Sequence, residues 1–303
     1  MLNARQQDDG RIRRVTWAGL WTNLGLAAVK VAVGLLAGSL ALVADGFHSL
    51  SDMATDVAVI LGVHFGGKEA DAKHPYGHGR IETFSAAFIA LALVAVGIGM
   101  IYKAGLDIAK MHLPGEEAVV TMPTAVMAVA LLSVVAKELI YQWTRRIAVK
   151  THSTALYANA WHHRSDALSS VAVLIGAATV KLGYPHGDQL AAMSVGLMIV
   201  LVAVRIIGDC FNELSERAVD RQTLRQIENV IQSDERIRQW HRLRTRSAGR
   251  EIFIDFHILV DPQLNIAEAH RIADALERNL HEQISRPINV IVHVEPDLPE
   301  LRR

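Results

Sequence analysis

The sequence contains one cysteine, Cys210, so neither an internal disulfide nor a cysteine-rich zinc module can be built from it. It carries no net charge, 31 Lys and Arg against 31 Asp and Glu, so composition offers no electrostatic footprint for nucleic acid. The H-E-x-x-H signature of helix-borne zinc hydrolases is absent. No cleavable signal peptide is evident: a polar, charged start (Arg5, Asp8, Asp9, Arg11, Arg13, Arg14) runs straight into a long apolar segment. What the chain has instead is apolar residues, 51% of the total, concentrated before Asn212. The last ninety residues or so are much more polar. That contrast predicts a transmembrane domain over 1–212 and a soluble domain over 213–303.

Six spans are expected, at about 15–36, 39–65, 81–109, 121–145, 152–183 and 188–212. Arg11, Arg13 and Arg14 precede the first, Lys68, Lys73 and Arg80 lie between the second and third, and Arg145, Arg146 and Lys150 lie between the fourth and fifth. The connections on the other side are short or poor in Lys and Arg. The positive-inside rule then puts both termini in the cytoplasm.

The stretch Asp45-Gly-Phe-His48-Ser-Leu-Ser-Asp52-Met-Ala-Thr-Asp56 breaks the second apolar run with three carboxylates and an imidazole. Each Asp at the centre of a spanning helix costs roughly 2.5–3.5 kcal/mol on insertion scales. Spacings of three and four residues put all four side chains on one helical face, which must look into the protein or at a cation path. The fifth span carries His162-His163-Arg164-Ser165-Asp166. His48 with Asp52, and His162 with Asp166, are two H-x-x-x-D pairs that can supply two nitrogens and two oxygens around one ion, the set Zn²⁺ favours. The bland alternative is two buried polar pairs that bond each other. Asp45 and Asp56 share the ligand face, as outer-shell, proton-path or structural groups. His163 and Arg164 look elsewhere and read as interfacial.

Lys30 in the first span either snorkels, pairs with an acid or simply packs. Lys137 and Glu138, before Trp143 and Arg145-Arg146, read as a helix end at the interface with no chemistry. The loop Glu69-Ala-Asp71-Ala-Lys-His74-Pro-Tyr-Gly-His78-Gly is a compact turn with converging N and O donors, either a zinc-like site or a polar loop with incidental histidines. In the polar domain, an amphipathic helix is expected within 213–239 (Leu224, Ile227, Val230, Ile231). A hairpin follows over 243–260 with its turn at Ser247-Ala248-Gly249, then a helix over 266–284 and a strand over 288–295. The order helix, strand, strand, helix, strand is a small ferredoxin-like α+β domain. Alternation puts His257 on the less apolar face of its strand and His293 with Glu295 on that of theirs. If the strands are neighbours these side chains can meet, with His241 and His270 able to join. Solvated histidines on an open sheet face are the alternative.

On the paired motifs His48-Ser-Leu-Ser-Asp52 and His162-His-Arg-Ser-Asp166, the loop His74-Pro-Tyr-Gly-His78-Gly and the segment Leu243-Arg-Thr-Arg-Ser-Ala-Gly249, the chain resembles the cation diffusion facilitators. The likeness is to their bacterial zinc and iron efflux type and runs from about residue 11 to 297. The resemblance implies a transport site of His48, Asp52, His162 and Asp166. It implies a loop site of Asp71, His74 and His78, and a cytoplasmic site drawing on His241, His257, His270, His293 and Glu295. It also implies a homodimer in the bacterial inner membrane and a charged interlock matched by Arg80 and Glu216. Two positions depart from the close bacterial pattern: His48 and Glu295 each stand where those relatives have Asp.

The expected function is efflux of a divalent cation in exchange for protons, with no catalytic residues. Zn²⁺ ranks first, ahead of Fe²⁺, Cd²⁺, Co²⁺ and Mn²⁺, because imidazole with carboxylate suits borderline ions. Metal and protons compete for the same groups. An intramembrane hydrolase lacks its motif and an open metal position. A membrane-anchored sensor would use the cytoplasmic histidines but leave the intramembrane pairs without a purpose.

Overall fold

The computed structural model describes residues 2–37, 40–110, 123–181 and 187–302. The chain divides into two compact units, one of residues 6–210 and one of residues 1–5 with 211–303. Six long helices come first: α1 (Leu2–Ala37), α2 (Leu40–Gly66), α3 (Arg80–Lys110), α4 (Pro123–Thr151), α5 (Thr154–Lys181) and α6 (Gly187–Leu214). Then come α7 (Arg221–Gln232), β1 (Gln239–Ala248), β2 (Glu251–Val260), α8 (Ile266–Gln283) and β3 (Ile288–Pro296).

Among the described residues three segments are long and apolar enough to cross a membrane by length and composition: Gln7–Leu36, Arg80–Leu106 and Met193–Leu214. The outer faces of the helical unit are apolar, with Trp21, Phe84, Phe88, Leu131, Leu139 and Leu201 all exposed. A belt of that size is costly in water and suited to lipid. The interior is closed by small residues on α5: Ala155, Ala158 and Ala160 have no exposed surface, which lets neighbouring backbones approach. Helices α3 and α6 meet at two glycines. A Cβ on Gly97 would stand 2.8 Å from the Gly196 carbonyl oxygen, and one on Gly196 would stand 2.8 Å from that of Gly97.

Two helix ends differ from the sequence reading. Helix α1 is continuous from Leu2, so the charged start is helical. Helix α4 runs on to Thr151, which places Arg145, Arg146 and Lys150 in its last turns rather than in a loop. The α4–α5 connection is only His152 and Ser153. His152 takes φ 52° to turn the chain, and the Ser153 hydroxyl accepts the Leu156 N–H at 3.2 Å.

In the second unit each element has a local cause. Asp220 caps α7, its carboxylate accepting the N–H groups of Gln222 and Thr223. Ile227, Val230 and Ile231 then share the buried face. A capping box of Asn265 and Glu268 starts α8, which buries Ile272, Ala273, Leu276 and Leu280. The sheet order is β1-β2-β3. β1 and β2 are antiparallel, and β2 and β3 are parallel with α8 as the crossover. Ile252, Ile254, Phe256 and Ile258 point into a core completed by α7 and α8. The hairpin is longer than expected: β1 begins at Gln239 and its turn is Gly249-Arg250, with Gly249 at φ 59°. A bulge at Arg242 (φ 54°) shifts the register between His241 and Arg244, so His241 stands opposite His257.

Candidate metal centres

The first cluster lies in the interior of the helical unit. The ligand-capable atoms of Asp52 on α2 and of His162 and Asp166 on α5 fall within 4.8 Å of one another, and all three residues are buried. His162 Nε2 is 3.4 Å from Asp52 Oδ1 and 3.9 Å from Asp166 Oδ2. Among the described residues neither ring nitrogen of His162 makes a hydrogen bond. A buried imidazole with uncommitted nitrogens beside two carboxylates suits a borderline divalent cation. His48, the remaining member of the pattern, is on α2 one turn before Asp52, but its side chain lies outside the described residues, as does that of Asp45.

A residue that the sequence reading left without chemistry stands in this cluster. Lys137 of α4 is buried, at 2% exposure. Its ammonium donates to Asp166 Oδ2 at 2.7 Å and to Asp52 Oδ2 at 3.3 Å. It is therefore no helix end at an interface, because α4 continues fourteen residues beyond it to Thr151. Lys30 is also buried and donates to Ser49 Oγ at 3.0 Å, inside the same stretch of α2, so it does not snorkel to an interface.

One turn along α2, Asp56 has no exposed surface. Asn23 of α1 donates to its Oδ2 at 2.9 Å and Asn159 of α5 donates to its Oδ1 at 2.7 Å. His163 Nε2 lies 3.4 Å from the same Oδ1. The interfacial reading of His163 is thus corrected: α5 is covered on more than one side, so His162 and His163 both look inward. Arg164 instead lies over the rings of Tyr141 and Trp161, at 4.5 and 5.7 Å. No periodicity points to Asn23 and Asn159 as partners of Asp56, since they come from different helices.

The second cluster is in the α2–α3 loop. Asp71 Oδ1 accepts the backbone N–H groups of His74 and Lys73 at 2.7 and 2.8 Å. Those donors hold its carboxyl below the usual carboxylate range, His74 contributing most. His74 Nδ1 lies 3.4 Å and His78 Nε2 3.5 Å from the two Asp71 oxygens. Gly77 at φ 78° makes the turn that brings the two rings to 4.2 Å.

The third cluster lies on the sheet face away from the α7–α8 core. Parallel pairing sets His257 beside His293 and Leu259 beside Glu295. His257 Nδ1 is 2.8 Å from Glu295 Oε1, His241 Nε2 is 3.4 Å from Oε2, and His293 Nε2 is 3.5 Å from Oε1. Burial works against ionisation of Glu295, but the His257 hydrogen bond and the three imidazoles hold its carboxyl below the usual range. His270 stands apart on α8, exposed and 3.5 Å from Asp274. Of the two residues in the expected interlock, Glu216 accepts from Arg246 at 2.7 Å within its own unit, and Arg80 opens α3 in the other.

Residues 16–215 match the cation efflux transmembrane domain, and residues 219–297 match the cytoplasmic domain of cation efflux proteins. The magnetosome protein MamB of Magnetospira sp. (strain QH-2) is 32% identical over 93% of this chain and 94% of its own length. The manganese efflux system protein MneP of Bacillus subtilis is 31% identical over 95% of this chain and 97% of its own. Among solved structures, the metal-bound C-terminal domain of the CzcD transporter from Thermotoga maritima is 26% identical, covering 26% of this chain and 94% of that one, with a TM-score of 0.25. With both of its units matched in succession, this chain belongs to the cation efflux family, the cation diffusion facilitators, which are membrane proteins that export divalent metal cations.

Proposed function

We propose that this family member exports Zn²⁺ from the cytoplasm in exchange for protons, through a site of His48, Asp52, His162 and Asp166. The observation that carries the reading is the buried gathering of Asp52, His162 and Asp166 from two helices. His48, four residues before Asp52, supplies the fourth donor and completes a tetrahedral N₂O₂ set. All six long helices span the bilayer, including those whose hydropathy is lowered by site residues, with both termini in the cytoplasm. Metal binds only deprotonated ligands, so an inward proton gradient opposes rebinding and drives release. Access alternates by movement of helices around the site.

The protein acts as a homodimer. Metal at His241, His257, His293 and Glu295, and at Asp71, His74 and His78, favours the transporting state by binding it more tightly.

Flux into proteoliposomes at fixed internal and external pH tests the proposal, with Zn²⁺, Fe²⁺, Mn²⁺ and Cd²⁺ supplied in turn. Zinc-led flux that stops with Asp52→Ala and Asp166→Ala, and that widens to other ions with His48→Asp, is the expected result. Zinc flux that persists in Asp166→Ala sinks the site. Metal bound by the purified protein with no flux of any ion makes it a sensor. Manganese is the second reading for the cargo, favoured by the likeness to a protein named for manganese efflux. Manganese flux exceeding zinc flux in wild type would establish it.

A further inference from the structure

Resting on the site reading above, we propose that Lys137 is a tethered cation that competes with the transported metal for Asp52 and Asp166 and so sets the affinity of the transport site. The ammonium reaches both carboxylates, Asp166 at 2.7 Å and Asp52 at 3.3 Å, from a third helix that contributes no metal ligand of its own. Its own side chain is 3% exposed, so water does not screen the contact.

The chemistry of the two cations is different in a way that matters. An ammonium is a point charge with three donors on a flexible stem, able to swing aside while staying attached. A metal ion binds carboxylate oxygen at about 2.0–2.2 Å and takes up the oxygen lone pairs that the ammonium uses. The two positive charges also repel strongly at such range in a low-dielectric interior. Loading therefore requires Lys137 to leave the carboxylates, and its return helps to expel the metal. Ions that gain from imidazole coordination overcome this competitor more readily than ions held by charge alone.

The size of the effect follows from population arithmetic. Apparent affinity is weakened by the fraction of sites in which the ammonium stands aside. If the ammonium holds the carboxylates about nine-tenths of the time, removing it lowers the half-saturating metal concentration about tenfold. A transporter with tighter binding also releases its cargo more slowly, so maximal flux falls.

The test is zinc flux by the full chain in proteoliposomes, read as half-saturating concentration and maximal rate at one pH. Lys137→Met is expected to lower the half-saturating concentration about tenfold and to lower the maximal rate. An unchanged or raised half-saturating concentration overturns the proposal and makes Lys137 a structural ion-pair partner. Lys137→Arg is read beside it, and decides the matter if the Met variant does not fold. The guanidinium keeps the charge and grips carboxylates with a planar fork, so half-saturation should rise several-fold. An unchanged value there overturns the proposal too. Asp52→Asn separates this inference from the one beneath it. If Asp52→Asn transports zinc as wild type does, the site reading itself fails. If it does not, while Lys137→Met leaves half-saturation alone, only the tethered-cation inference fails.

Discussion

Asn159 of α5 donates to Asp56 of α2 at 2.7 Å, and the two residues are 103 positions apart in the chain. With Asn23 of α1 on the other carboxylate oxygen, a single buried carboxylate ties three helices together one turn from Asp52. Removing the carboxylate leaves two buried amide donors without their acceptor. Asp56→Ala should therefore cost about 2–5 kcal/mol, seen as a lower midpoint for thermal unfolding of the detergent-solubilised protein. A midpoint equal to wild type would mean that Asp56 does not hold these helices.

The α3–α6 contact predicts a contrast between two neighbouring glycines. A methyl group on Gly97 meets the backbone of Gly196 and the side chain of Val200, at 2.8 and 2.7 Å. Gly97→Ala should destabilise by about 1–3 kcal/mol because backbone cannot move aside cheaply. Gly99 has nothing within 4 Å of the same position. Gly99→Ala should be neutral or stabilising by up to about 1 kcal/mol, from the lower chain entropy of alanine. Thermal unfolding of both variants in the same detergent checks the sign of each.

The cap of α7 predicts a pH-dependent loss. The Thr223 hydroxyl, and then backbone N–H groups, hold the Asp220 carboxyl below its usual value. Its contribution is thus present above the unfolded carboxylate value, near about 3.9, and is lost as pH falls through the lower folded value. Asp220→Ala should weaken α7 by about 1 kcal/mol at pH 7, roughly a fivefold gain in amide exchange. After equilibration at progressively more acidic pH, pulse labelling should show the difference between the two proteins shrinking.

Glu295 gathers three imidazoles, so its charge matters more than its bulk. Glu295→Gln keeps the size and removes the charge. In calorimetric zinc titrations of the full chain it should weaken one class of sites by at least about tenfold. Wild-type affinity at that class should also fall as the solution is made more acidic, because protons compete with metal for the same ligand atoms. A titration unchanged by Glu295→Gln would leave the three histidines as a solvated sheet face.

Much of this protein could be read from its residue order. Apolar run length sets the long helices, because a helix in lipid must satisfy its own backbone. The i, i+4 spacing of His162 and Asp166 puts both on one face wherever the helix goes. The period-2 alternation of β2 and β3 puts His257, His293 and Glu295 on one side of the sheet, and parallel pairing then brings them together. These features are local, fixed by backbone geometry over a few residues. What only the tertiary structure decided is which helix stands opposite which. Lys137, close to two arginines, reads as a helix end until α4 is seen to run to Thr151, about 21 Å further along its axis. It then falls level with Asp52 and Asp166, and a residue with no pattern of its own becomes their shared partner. Asn23, Asn159 and His163 converge on Asp56 for the same reason. Partners from different helices carry no mutual spacing in the chain, and packing alone sets the rotation and height at which they meet.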